Sequence, residues 1–252
     1  MPTLAAVIIT YNEEVNLADC LESLLGTVDQ IIVLDSGSTD ATLAIASRFG
    51  AIVAVSDVWQ GFGNQKNRAL AMATSDWVLS IDADERLTPE LAKEIRCVME
   101  QPHSVTCFSL PRSSSYCGRF IRYSGWSPDY VDRLFQNGKA RFSDDLVHER
   151  LLHRSPVCRL HSPLLHYSFR NFSQVLQKTD RYSTASATQA YSQGKRASVY
   201  SAVGHGAWAF FRTYVLKVGF LDGAHGLALA ISNAEGTYYK YLKIWQMGQT
   251  RN

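Results

Sequence analysis

Short apolar runs alternate with amphipathic stretches over the first third of the chain. Leu4 to Thr10 is continuously apolar, the pattern of a strand covered on both faces. Tyr11-Asn12-Glu13-Glu14 ends it, and Leu17, Cys20, Leu21, Leu24 and Leu25 then recur near helical spacing. A helix is therefore predicted from Val15 to Leu25, stopped by Gly26. Ile31 to Leu34 reads as a second strand, and Ser38 as the N-cap of a helix from Asp40 to Phe49. Gly50 closes that helix before a third strand, Ala51 to Val55. After a glycine-bearing loop, Trp59 to Asn64, a helix over Gln65 to Ala73 leads to a fourth strand, Trp77 to Ile81. Strand and helix in strict alternation predict an α/β protein with a doubly wound, mostly parallel sheet. Such sheets bind ligands beyond the carboxyl ends of their strands. Here those ends carry Thr10-Tyr11-Asn12-Glu13, Asp35-Ser36 and Asp82-Ala83-Asp84, so three polar clusters are expected on one rim.

The later chain patterns differently. Thr88-Pro89 is a good N-cap and first-turn pair for a further helix, with Glu85 as an additional cap. Residues 171–193, rich in Ser, Thr and Gln, suit an exposed helix. Trp208 to Leu221 is apolar nearly all round and is flanked by Arg212 and Lys217. Tyr238 to Trp245 is aromatic and basic. Two readings compete: a helix pair packed on the sheet domain, or peripheral docking on an anionic inner leaflet. The longest charge-free stretch, Ala197 to Phe211, has 15 residues, short of the about 20 that a spanning helix needs. No transmembrane segment is expected, and Met1-Pro2-Thr3 lacks the basic start of a signal peptide.

Charge sharpens the division. Residues 1–100 carry 6 Lys/Arg against 15 Asp/Glu, a net of −9, whereas 101–194 are at +6 and 195–252 at +5. An acidic first part suits a metal, and a basic remainder suits phosphates or an anionic surface. Five cysteines without a CxxC pair argue against a disulfide framework or zinc ribbon and fit a reducing compartment. The aromatics of the basic part cluster among apolar residues instead of interleaving along a stripe, so no nucleic-acid partner is expected. Neither G-x-G-x-x-G nor G-x-x-x-x-G-K-[ST] occurs, which sets aside a dinucleotide site and a P-loop. Phosphate would then be held by a metal or by a side chain such as Lys66. Asp82 and Asp84 face the same side in extended chain, and paired hard oxygens suit a divalent cation; an acidic turn is the plain alternative.

Val7-Ile8-Ile9-Thr10-Tyr11-Asn12-Glu13-Glu14, Val33-Leu34-Asp35-Ser36-Gly37-Ser38-Thr39-Asp40, Gln65-Lys66-Asn67-Arg68 and Asp82-Ala83-Asp84-Glu85 resemble, in order and spacing, the family 2 glycosyltransferases with a GT-A fold. Farther on, Gly118-Arg119-Phe120-Ile121-Arg122, Gly125-Trp126, Arg133-Leu134-Phe135, Val147-His148-Glu149 and Gly219-Phe220-Leu221-Asp222-Gly223 resemble its lipopolysaccharide-core β-1,4-glucosyltransferase branch. The expected architecture is a GT-A-type, Rossmann-like domain over residues 1–170. Its nucleotide-sugar half is 1–100 and its acceptor half 101–170, with a helical, membrane-associating extension over 171–252.

The resemblance implies a UDP-sugar donor, inversion at the anomeric carbon and a lipopolysaccharide-core or other glycolipid acceptor. Uracil needs a platform and an acceptor for its N3–H: Tyr11 suits the first, and Asp35 suits the base or the ribose. Thr10 and Glu13 join the donor set, Glu13 toward the ribose, and Lys66 falls where the family places a residue near the donor. Asp84 is the candidate direct ligand of Mg²⁺ or Mn²⁺, with Asp82 on the ribose or reaching the metal through water. His166 corresponds to a late histidine that completes the metal site in some relatives. Inversion also requires a base on the far face of the sugar. Asp144, Asp145 and Glu149 are the local carboxylates, the family match favours Glu149, and His148 is a substitute. Arg122, Trp126 and Arg133 suit a phosphorylated, sugar-bearing acceptor. Each has a structural alternative: Tyr11 as a core aromatic, Asp35 as a helix-capping acid, Lys66 and the arginines as solvated surface. The enzyme implied is cytoplasmic and peripheral on the inner membrane. Rival readings are a nucleotidyltransferase, which the acidic Tyr11-Asn12-Glu13-Glu14 disfavours, and a catalytically weak nucleotide-sugar or lipid-head module.

Overall fold

A computed structural model describes residues 1–56, 58–101, 105–144 and 149–249. These form two compact units: residues 1–112 with 129–166, and residues 113–128 with 167–249. The division read from sequence lies near residue 170, whereas the second unit also takes in residues 113–128, read from sequence as acceptor half.

The first unit is built on β1 (Leu4–Thr10), β2 (Gln30–Asp35), β3 (Ile52–Val55) and β4 (Trp77–Ser80), parallel in the order β3-β2-β1-β4. The run 4–10 is apolar throughout because both faces are covered. Leu4, Ala6 and Ile8 join one core with α1 (Leu17–Leu24), α2 (Thr42–Arg48) and α4 (Pro89–Glu100). Ala5 and Val7 join a second core with Ala69 of α3 (Phe62–Leu70). Beyond β4 the sheet turns antiparallel through β8 (Asp129–Gln136) and β6 (Cys107–Tyr116). The short strands β7 (Arg119–Phe120) and β11 (Val157–Arg159) pair with β6, β9 (Ala140–Phe142) pairs with β10 (Leu151–His153), and β5 (Glu85–Leu87) pairs antiparallel with β12 (Leu164–Phe169). Mixed pairing on a parallel, doubly covered half is the GT-A-type arrangement.

Helix boundaries moved where local chemistry won. Ser38 does not cap α2, whose N-cap is Ala41 without a side-chain bond; its hydroxyl turns back to Asp35 instead. Thr88 does cap α4, accepting from the Leu91 N–H at 3.1 Å, with Pro89 in the first turn. Helix α3 starts earlier than expected, at Phe62, after Gly61 with φ of +98°.

The second unit is helical: α5 (Phe172–Ser192), α6 (Val199–Phe211) and α7 (Gly223–Gln249). Much of the 238–245 stretch, read as interfacial, is packed. Tyr241 stacks on His205 at 3.8 Å, Ile244 is buried, and Lys243 Nζ reaches Asp180 Oδ1 at 2.7 Å. Among the described residues no single helix is long and apolar enough to cross a membrane.

Candidate active site

The strand ends gather most of the expected residues, with one substantive correction at the outset. Asp35 is not open to a donor. Its carboxylate is fully buried and accepts from Thr10 Oγ1 (2.8 Å), Ser38 Oγ (2.6 Å), Gly37 N–H (2.9 Å) and Ser38 N–H (2.7 Å). Gly37, at φ +87°, bends the chain so that these amides point back at the acid. Asp35 and Thr10 thus hold the β2–α2 turn together. Tyr11, next along, is 60% exposed on the rim, as a platform requires.

Asp82 lies at the centre of a charge network. Its Oδ1 is 3.0 Å from Lys66 Nζ, its Oδ2 is bonded to Arg133 Nη2, and its backbone N–H donates to Glu85 Oε2 at 2.9 Å. Arg133 also holds Glu85 Oε1 at 2.9 Å, and Arg112 flanks the same oxygen at 3.6 Å. Burial alone would push Asp82 up, but the Arg133 and Lys66 charges outweigh it and hold this carboxyl well below the usual range. Glu85 is displaced upward, by its complete burial and by the Asp82 charge, against the pull of Arg133. Two assignments change as a result. Glu85 is not a helix cap but a buried anchor for Arg133. Arg133, itself buried, is bound to Asp82 and Glu85 and is not free for an acceptor. The β4–β8 pairing, with Leu79 opposite Leu134, sets Arg133 beside the Asp82 turn.

Lys66 joins this network to the candidate base. Buried on α3, it also contacts Glu149 Oε1 at 2.8 Å. Glu149 Oε2 has no partner among the described residues. Two features missed in the sequence bring Glu149 there. A Cβ at Gly63 would stand 1.8 Å from the Ser143 carbonyl oxygen and 3.4 Å from Glu149 Cβ, so only glycine allows this approach. Asn67 clamps β9 (Ala140–Phe142), donating to the Phe142 carbonyl at 2.9 Å and accepting its N–H at 2.8 Å. Gly63, Lys66 and Asn67 share one helix face at spacings of three and four. That periodicity was the one available signal. Of the other bases weighed, Asp144 is exposed, and Asp145 and His148 lie outside the described residues.

Asp84 and His166 meet through β5–β12. The register sets His166 opposite Glu85, and His166 Nε2 is 3.3 Å from Asp84 Oδ2. Glu13 belongs to the same rim: burial raises its pKa, Asn16 opposes this, and the negative charges of Asp84, Asp40 and Asp82 raise it further. A divalent cation fits this donor set. Asp84 and His166 offer a carboxylate oxygen and an imidazole nitrogen at a partly open edge, in a field of surplus negative charge. Asp82 fits less well as a direct ligand, since both its oxygens are already taken. Imidazole beside carboxylate suits Mn²⁺ better than Mg²⁺.

Arg122 and Trp126 fall in the second unit. Trp126 is not a free platform: its ring packs edge-on to Tyr116 at 6.0 Å and stacks on Phe169 at 6.3 Å. The Arg122 backbone donates to buried Asp222 Oδ1 at 3.0 Å while its side chain is exposed. Of the remaining histidines, His153 faces Asp132 at 3.7 Å.

The model of the glycosyl transferase family 2 matches residues 5–160, which contain every rim residue except His166. The chain belongs to this family. It is a glycosyltransferase, and the nucleotidyltransferase and binding-module readings fall away. The lipopolysaccharide core biosynthesis glycosyltransferase LpsC of Rhizobium meliloti is 29% identical over 96% of this chain and 92% of its own length. An uncharacterized glycosyltransferase of Rickettsia conorii is 28% identical over 96% of this chain and 89% of its own. Glucosyl-3-phosphoglycerate synthase from Mycobacterium tuberculosis, solved with Mn²⁺, UDP and glucosyl-3-phosphoglycerate, aligns over 46% of this chain and 45% of its own, at 29% identity and a TM-score of 0.38.

Proposed function

We propose that this family 2 enzyme transfers a hexose, glucose from UDP-glucose, onto a lipopolysaccharide-core acceptor with inversion. The observation that carries the reading is Lys66 bridging Asp82 and Glu149, which joins the donor rim to a base in one array. The similarity to LpsC supports the acceptor class.

Tyr11 would stack on the uracil, and Glu13 would meet the ribose. Asp84 and His166 would hold Mn²⁺ or Mg²⁺, which supplies positive charge to the departing diphosphate. Lys66 presents a second positive charge at the same edge. Glu149 takes the proton from the acceptor hydroxyl through Oε2 while its Oε1 stays on Lys66. The acceptor oxygen bonds to the anomeric carbon, the bond from that carbon to the diphosphate oxygen breaks, and its electron pair leaves with UDP. No covalent enzyme intermediate forms. Arg133, Glu85 and Arg112 position Asp82 and touch no substrate. An acceptor borne by lipid places the enzyme on the cytoplasmic face of the inner membrane, as a peripheral protein.

A screen of UDP- and ADP-sugars for thermal stabilisation with Mn²⁺ tests the donor, because a ligand that binds only the folded state raises its melting temperature. UDP-glucose is expected to stabilise most among the sugars and to yield UDP when core acceptor is added. Equal stabilisation by ADP-sugars, or no UDP release with any core acceptor, contradicts the proposal.

A further inference from the structure

Helix α6 ends in a constructed corner. Phe211 leads into a π turn over Arg212–Leu216, Val218 takes φ of +48°, and Gly219–Asp222 forms a 3₁₀ turn before α7 departs. The two arms, Val199–Leu216 and Gly219–Gln249, are bent by 72°. Buried Asp222 points inward and accepts the N–H groups of Arg122 and Tyr123, both at 3.0 Å, and the Ser124 hydroxyl at 3.2 Å. Ser124 N–H in turn holds the Lys217 carbonyl at 2.9 Å. A Cβ at Gly219 would stand 2.7 Å from the Thr213 carbonyl oxygen, and one at Gly226 only 1.9 Å from that of Gly219. Both glycines are therefore needed for the fit.

The outer side of this pinned corner is apolar. Trp208, Phe211, Val215, Leu216, Phe220 and Leu221 are each 42–55% exposed. Between Ala197 and Ala234 the charged residues are Arg212, Lys217 and Asp222. Since Asp222 is buried and the other two are exposed, the exposed charge of this segment is positive. Aromatic and aliphatic tips edged by Arg and Lys match the headgroup boundary of a bilayer. A second copy fits worse, because a two-fold contact would set these cations against one another. Anionic headgroups complement them. Neither arm alone can span a bilayer; the bent pair together has the length and composition of a broken span or re-entrant loop, but that would carry the exposed Arg212 and Lys217 at the bend into the acyl region, so the match is to shallow insertion.

We propose that this corner is a wedge seated in the headgroup–acyl boundary of an anionic phospholipid bilayer, with Arg212 and Lys217 on lipid phosphates. The inference rests on the peripheral placement proposed above and is independent of the transfer chemistry.

The test is flotation of the full chain with vesicles of phosphatidylcholine, alone or mixed with phosphatidylglycerol. The wild type is expected to float with the anionic vesicles. L216S/L221S should lower that partition at least roughly tenfold through lost apolar burial. R212Q/K217Q should lower it about tenfold on anionic vesicles only. All replaced side chains are exposed, and matching thermal unfolding would confirm the fold of the variants. As a second readout, acyl-brominated lipids should quench wild-type tryptophan fluorescence, with most of the quenching lost in W208F. Flotation and quenching unchanged in these variants would overturn the wedge while leaving peripheral binding intact. Absence of wild-type flotation would overturn both, and a dimer in vesicle-free buffer that L216S/L221S dissolves would assign the face to a second copy. UDP-sugar stabilisation, measured without vesicles, reports separately on the transfer reading.

Discussion

Asp82 and Glu85 are neighbours of one arginine, yet burial and charge move them in opposite directions. Asp82, held low by Arg133 and Lys66 against its burial, binds fewer protons folded than unfolded below an ordinary Asp value of about 3.9. Its stabilisation is complete above that value and is lost as pH falls toward its folded pKa. Glu85, raised by burial, has the opposite sign and loses its contribution as pH rises through its folded value. Asp82→Asn should therefore cost about 2–3 kcal/mol at neutral pH, with the gap to wild type closing in strong acid. That is less than the roughly 3–5 for a fully buried pair, since Asp82 is 32% exposed. Urea midpoints against pH measure it. Chelation should abolish turnover, and Mn²⁺ should restore it better than Mg²⁺; Asp84→Ala and His166→Ala should each raise the Mn²⁺ concentration needed for half-restoration at least roughly tenfold. Chelator-resistant turnover would remove the metal from the account. Asp82, Asp84, Lys66 and Glu149 were legible in the sequence because strand ends and a known motif order locate them. The fates of Asp35, Glu85 and Arg133 were not, because nothing in a linear sequence says whether an acid finds its partner in a ligand or in its own fold.

At the scale of elements, α3 decides where Glu149, the proposed base, sits. Gly63→Ala forces a shift against the Ser143 carbonyl. The expected result is a stability cost of about 1–3 kcal/mol and a fall in kcat larger than any rise in donor KM. Gly204→Ala, at an exposed helical glycine with no neighbour within 4 Å, should instead stabilise α6 by about 0.5–1 kcal/mol. Thermal unfolding and steady-state kinetics of the two variants check both statements. The four parallel strands were readable because their two-sided burial leaves unbroken apolar runs. The antiparallel continuation through β8 and β6 was not, since half-buried strands such as Asp129–Gln136 give a weaker pattern. The segment 208–221 read as one unbroken apolar stretch because composition carries no mark of the break at Val218.

Across the whole molecule, charge and architecture agree. The acidic first part supplies the rim, and the basic remainder includes the second unit with its cationic corner. The sequence placed the boundary near residue 170; the transfer of residues 113–128 to the second unit follows from Asp222, whose contacts with Arg122, Tyr123 and Ser124 no local pattern foretells. What unites these observations is the proposal that distant acids form one transfer site with Glu149 as its base. Comparison of Glu149→Gln with wild type in UDP binding and in single-turnover transfer from UDP-glucose tests this most directly. UDP affinity is expected to stay within a few-fold while transfer slows by about 10²–10⁴. Transfer by the Gln variant at the wild-type rate would contradict it.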